Sequence, residues 1–201
     1  MICERMGARL EQHNMASNQY TLEEYYALEK AGDRRYEYWD GEIVCRSGGT
    51  LAHGQISRNV FGAIDRKLEG RDCQAFTADM AIKISAQGLY RYPDASVVCG
   101  EVQTEPINGI DVLINPLLIV EVLSPTTEDR DRNEKRIAYQ SIPSLREYWI
   151  VSQDIPHVTR YVRDGGAWAR TDYSRMEDAI DGPAIGAALT LAEIYQGVTF
   201  E

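Results

Sequence analysis

Residues 117–124 read LLIVEVLS, a run of strand length whose leucines and β-branched side chains belong inside a packed sheet. At its centre stands one carboxylate, Glu121. A second run, YPDASVVC, is also largely apolar and carries Asp94 directly after Pro93. An isolated carboxylate is costly to bury unless a cation or hydrogen-bond donors meet it. Both strands therefore ask for a substantial core and for a partner to each acid. A chain of 201 residues supplies such a core within one domain.

The rest of the chain alternates helical and strand patterns. Thr21, with Glu24 three residues on, opens a helix over TLEEYYALEKAG, which Gly32 is expected to stop. RRYEYWDGEIVCRSGG reads as a hairpin about Asp40-Gly41. In HGQISRNVFGAIDRKLEG, Ile56, Val60, Ile64 and Leu68 recur every four residues on one helical face. CQAFT, MAIKIS and YPDASVVC are expected strands, with AQG a turn between the second and third. A loop rich in Glu, Asn, Gly and Pro is expected over 100–116, and Pro125 helps to end LLIVEVLS. TTEDRDRNEKRIAYQSI should be a helix exposed on one side. REYWIVS and HVTRYVRDGGAWART add strands, with Gly165-Gly166 a turn, and LTLAEIYQGV a short final helix. The pattern predicts an α+β fold with a central mixed β-sheet flanked by helices. Residues 1–19 form a polar lead-in, and 20–201 the single domain.

No apolar stretch approaches the ~20 residues that span a bilayer, and the opening residues lack the apolar core of a secretory signal. A cytoplasmic protein is the expectation. Cys3, Cys45, Cys73 and Cys99 show neither CxxC nor Cys/His pairing, so reduced thiols are expected and no zinc site is suggested. The net charge is −10, from 31 acidic and 21 basic residues. Composition thus gives no general affinity for nucleic acid, which depends on neutralising phosphates; a basic surface would have to be local.

If Asp94 and Glu121 converge, they make a hard oxygen site suited to Mg²⁺ or Mn²⁺, which activates water for attack on a phosphoryl group. Otherwise, each acid pairs with an arginine or reaches solvent at a strand end. Lys135, in the following helix, can be aimed at the same point; its alternative is a solvated cation in the charge run DRDRNEKR. Lys83 is a weaker choice.

Pro93-Asp94 and Glu121-Val122 match the first places of the PD…(D/E)xK nuclease pattern, while Leu123 stands at the lysine place. The blocks WDGEI, GGTLAH, DMAIKI, YPDASVVC, IVEVLSPTTEDRDRNEK and REYWIV, in this order and spacing, resemble the Uma-type family of restriction-endonuclease-like proteins within the PD-(D/E)xK superfamily. The resemblance covers residues 20–199. It implies a restriction-endonuclease-like core and a metal-dependent nuclease acting on DNA. Asp94 and Glu121 carry over as ligands of Mg²⁺ or Mn²⁺, the Val122 carbonyl as a third, and Lys135 as the catalytic lysine moved from strand to helix. Leu123 departs from the superfamily motif but is typical of the family.

Three more positions are candidates. Glu42 approaches the site or is a surface strand carboxylate. His53 contacts phosphate, assists proton transfer, or makes a local bond at its helix end. Asp79 is a supplementary ligand or a turn residue. The expected activity is endonucleolytic; its competitor is an inactive nuclease-fold module for binding or assembly, favoured by the acidic balance and the missing strand lysine. By analogy with nucleases that cut two strands, a homodimer is expected.

Overall fold

The structure, a computed structural model, describes residues 19–31, 35–39, 41–45, 49–84, 90–107, 109–124 and 128–200. Helix α1 (Leu22–Ala31) opens with both halves of its capping box: Thr21 N–H donates to Glu24 Oε2 at 2.8 Å, and Glu24 N–H to Thr21 Oγ1 at 3.2 Å. Its expected stop, Gly32, lies outside the described residues. Strands β1 (Tyr36–Trp39) and β2 (Glu42–Cys45) make the expected hairpin, with Trp39 opposite Glu42. Gly41 in their turn has φ 94°, where any side chain is strained; Asp40 lies outside the described residues. In α2 (Leu51–Leu68) the four residues of the expected apolar stripe are all buried.

Next come β3 (Cys73–Thr77), β4 (Ala81–Lys83), β5 (Tyr90–Arg91) and β6 (Ala95–Cys99). The AQG turn lies outside the described residues. The run expected as one strand, YPDASVVC, is therefore strand only from Ala95. Tyr92, Pro93 and Asp94 carry the chain from one sheet, through β5, to another, through β6. Proline has no N–H to give a ladder, which suits it to this crossing.

The loop expected over 100–116 is instead a hairpin, β7 (Thr104–Ile107) and β8 (Ile110–Leu113), with Ile107 opposite Ile110. Asn108-Gly109 joins them, a pair suited to two-residue hairpin turns, and Gly109 has φ 90°. The polar composition around it hides that signal. Pro106 is accommodated because β7 is an outer strand.

After β9 (Leu118–Val122) the chain forms a composite helix: α3 (Glu128–Arg130), a π-helical turn (Asp131–Lys135) and α4 (Arg136–Gln140). Pro125 lies outside the described residues. Strands β10 (Glu147–Val151), β11 (Val158–Asp164) and β12 (Ala167–Tyr173) follow, the last two joined at Gly165-Gly166. A small ribbon, β13 (Ala179–Gly182) with β14 (Ala187–Thr190), leads to α5 (Leu191–Ile194), whose Thr190 and Glu193 form a second capping box.

The fold is α+β, with two six-stranded sheets rather than one. The mixed sheet has the order β12-β11-β10-β9-β6-β3; β9 and β10 are parallel and the other pairs antiparallel. Every residue of β9 and β10 is buried, because both faces are covered. On one face Leu118, Val120 and Trp149 pack with Ile56 and Ile64 of α2 and Leu189 of β14. On the other, Ile119, Tyr148 and Ile150 pack with Tyr139, Ile142 and Leu145. The second sheet, β2-β1-β5-β4-β8-β7, is covered by α1 through Tyr25, Tyr36, Tyr38 and Tyr90.

The cysteine expectation needs correcting. Cys73 and Cys99 stand directly opposite each other on β3 and β6 and form a disulfide. Only the strand register brings them together; their spacing of 26 residues carries no such signal. No helix among the described residues is long and apolar enough to cross a membrane.

Candidate active site

Strand alternation puts Ile119, Glu121 and Leu123 on the face that the composite helix covers. That helix supplies Asp131 and Lys135 from its π turn and Tyr139 from the turn after. All are buried: Glu121 is 2% exposed, Asp131 1%, Lys135 5% and Tyr139 0%. The Lys135 ammonium lies 2.9 Å from Asp131 Oδ1, 3.3 Å from Glu121 Oε1 and 3.6 Å from Glu37 Oε1. Tyr139 donates its hydroxyl to Glu121 Oε1 at 2.7 Å, and Tyr148 donates to the Asp131 carbonyl at 3.1 Å.

Asp94 immediately precedes the rung Ala95–Val120, and Glu121 immediately follows it on the neighbouring strand. The Val122 N–H donates to Asp94 Oδ2 at 2.7 Å. On its other side, His53 from the first turn of α2 brings Nε2 to 3.6 Å from the same oxygen. Glu37 reaches in from β1, in the second sheet, and accepts from Trp39 Nε1 at 3.3 Å. Arg91, fully buried, stacks its guanidinium 3.3 Å from the Trp39 ring centre and donates to the carbonyls of Tyr38 and Tyr90.

Charge and burial act together here. Burial raises the Glu121 carboxyl; Lys135 pulls it down, but Asp131, Asp94 and Glu37 push it up again, from the usual 4.5 to about 8. For Lys135, burial works against the charged form, yet Glu121, Glu37 and Asp131 outweigh it and hold the ammonium above the ordinary lysine value. The Tyr139 hydroxyl, raised by burial and by Glu121, stays a neutral donor.

A pH signature follows. The folded chain holds a proton on Glu121 that the unfolded chain releases near 4.5. Stability from this group is therefore complete below that pH and is lost as pH rises through about 8. In urea unfolding without added metal, wild type should lose stability relative to Glu121→Gln over that window, and the two should run parallel below it. Parallel curves across the whole range would refute the assignment.

A family model described as "Uma2: Putative restriction endonuclease" matches residues 22–192. The chain belongs to the Uma2 family. Relatives include two proteins of Synechocystis sp. (strain ATCC 27184 / PCC 6803 / Kazusa), both named as uncharacterized. The protein slr1290 is 33% identical over 179 residues, 89% of this chain and 92% of that protein. The protein sll1609 is 30% identical over 153 residues, 76% and 86% respectively. A crystal structure from Anabaena variabilis ATCC 29413, described as a putative nuclease belonging to DUF820, shares the fold. Its TM-score is 0.68 at 17% identity, covering 83% of this chain and 93% of that one.

In this Uma2 chain the fold brings Asp94, Glu121 and Lys135 into one buried cluster and adds His53 at Asp94. Val122 enters through its N–H. Leu123, at the position where the PD…(D/E)xK pattern has lysine, is buried in the apolar face beside Ile119 and Ile150. Two supporting candidates go elsewhere. Glu42 is exposed on the outer strand β2. Asp79, in the turn before β4, has a side chain 81% exposed and pairs with Arg35 at 2.8 Å. Lys83 pairs with Glu105. Sequence reasoning missed Glu37, Asp131 and Tyr139. YEYW carries the signal for Glu37, a carboxylate flanked by large apolar neighbours as in VEV.

Among the described residues, no three His, Cys, Asp or Glu side chains form a ready-made metal cage. Mg²⁺ does not require one: it keeps several waters and binds through one or two carboxylates. Burial first, and then the neighbouring carboxylates Asp131, Asp94 and Glu37 against the pull of Lys135, raise Glu121, so a bound cation would meet a carboxyl that its surroundings hold protonated. Asp94 and Glu121, hard oxygen donors on adjacent strands, fit such an ion.

Proposed function

We propose that this chain is a Mg²⁺- or Mn²⁺-dependent endonuclease that hydrolyses phosphodiester bonds of DNA. The observation that carries the reading is that Asp94 and Glu121 flank the rung Ala95–Val120 on the same side, beside the buried Lys135 ammonium. Asp94 and Glu121, with the Val122 carbonyl, would hold the ion, which when bound polarises a phosphoryl oxygen and acidifies a water. Lys135 supplies a fixed positive charge for the oxygens that become more negative as the phosphorus is attacked. Tyr139 holds Glu121 by its hydrogen bond, and His53, with Nε2 3.6 Å from Asp94, would contact a phosphate there. DNA is the proposed partner, and cutting both strands of a duplex would bring two copies together.

The test is direct. Purified protein should relax or linearise supercoiled plasmid with Mg²⁺ or Mn²⁺, and EDTA should stop it. Plasmid and single-stranded DNA left uncut with both ions would overturn the proposal. One observation favours a binding module instead: Lys135 already partners three carboxylates. That alternative predicts DNA retention indifferent to EDTA and no cutting.

A further inference from the structure

We infer that the cavity at the start of α2 is a nucleobase pocket, which takes one unpaired base from the strand whose backbone enters the carboxylate site. The inference rests on the nuclease reading and adds what the protein recognises. The cavity measures about 540 Å³, within the range of small-ligand sites. Thr50, Leu51 and Gln55 of the α2 start line one part of it, Gln153 and Asp154 beyond β10 another, and Phe200 a third.

Its chemistry selects the ligand. No lysine or arginine lines it, and Asp154 brings a carboxylate, so a phosphate is a poor fit. Donors and acceptors beside an aromatic ring suit a neutral planar heterocycle instead. Gln153 is only 6% exposed. Thr50 donates its hydroxyl to Gln153 Oε1 at 2.8 Å, which leaves the amide N–H₂ without a protein partner among the described residues. The Asp154 carboxylate likewise has no partner there. A base that gives a donor to Asp154 and an acceptor to Gln153 satisfies both. Guanine does so most fully, because N1–H and N2–H₂ can meet one carboxylate while O6 accepts from the amide. The Phe200 ring, braced edge-on against Tyr195 at 5.3 Å, and the 80% exposed Leu51 at the lip offer apolar faces.

Position ties the pocket to the chemistry. Thr50 Oγ1 accepts from the His53 N–H at 3.1 Å, and His53 Nε2 is 3.6 Å from Asp94. A single helical turn therefore borders both the cavity and the carboxylates.

The experiment measures binding in EDTA, so that nothing is cut, using fluorescein-labelled single-stranded thymidine oligonucleotides with and without one guanine. The guanine strand should bind wild type about tenfold more tightly than the all-thymidine strand. Gln153→Leu and Asp154→Asn should each erase that preference. Asp154 is exposed, so its variant keeps the fold even if the Gln153 variant does not; an unchanged melting temperature checks this. No binding, equal binding of the two strands, or a preference that survives Asp154→Asn overturns the pocket. A protein that prefers guanine yet never cuts sinks the nuclease reading alone, and one that cuts without the preference sinks the pocket alone.

Discussion

Asp94→Asn and Glu121→Gln are each expected to lower DNA cleavage by about 10³-fold or more while the chain remains folded. Both substitutions keep size and shape and remove an ionisable oxygen that would bind the ion. With Asp94→Asn, the amide oxygen of the new side chain can still accept the Val122 N–H, as Asp94 does at 2.7 Å. With Glu121→Gln, the side chain can still accept from Tyr139, and the carboxyl that is lost is one already pushed up to about 8. The expected loss is therefore one of ion binding and not of packing. Initial rates of plasmid relaxation, read beside thermal melts, separate the two. A folded Glu121→Gln protein cutting within tenfold of wild type would remove Glu121 from the chemistry. Calorimetric titration with Mn²⁺ should show heat with wild type and none with Asp94→Asn.

The largest effect on stability is expected from Lys135→Met. The substitution keeps an unbranched apolar stem but leaves Glu121, Asp131 and Glu37 without the ammonium that lies 2.9–3.6 Å from them. Breaking a buried ion pair from one side costs about 3–5 kcal/mol, against roughly 0.5 kcal/mol for a solvated charge in a surface run. Glu121 can shed its charge by holding its proton, so the cost should be smaller at pH 6 than at pH 9. Adding Glu121→Gln to Lys135→Met should recover part of the loss, which a double-mutant cycle in urea measures. A change within 0.5 kcal/mol would return Lys135 to the role of a solvated cation.

Local pattern made much of this molecule legible. The period of four in Ile56, Val60, Ile64 and Leu68 located the buried face of α2, and LLIVEVLS located the central strand. Those features depend on neighbours in sequence. What stayed hidden depends on partners far along the chain. The stretch YRYPDASVVC, residues 90–99, divides between two sheets because β5 finds β1 and β4, whereas β6 finds β3 and β9. No local pattern names those partners, nor the register that joins Cys73 to Cys99. Within the site, Asp94 and Glu121 stood out because their neighbours are apolar. Asp131 did not, since DRDRNEKR looks solvated throughout. Only docking on the sheet decides that Asp131 and Lys135 turn inward while Asn133 and Glu134 remain outside. Glu37 was readable from YEYW, but its meeting with Lys135 required the second sheet.

That meeting has a mechanical consequence. Glu37 belongs to one sheet and Glu121 to the other, and the same ammonium touches both. Lys135 is thus a rivet through the seam between two layers that the backbone joins at Tyr92-Pro93-Asp94. Prying the layers apart there must pull opposite charges away from each other out of reach of water, and drawing the lysine toward an incoming phosphate would loosen the same seam.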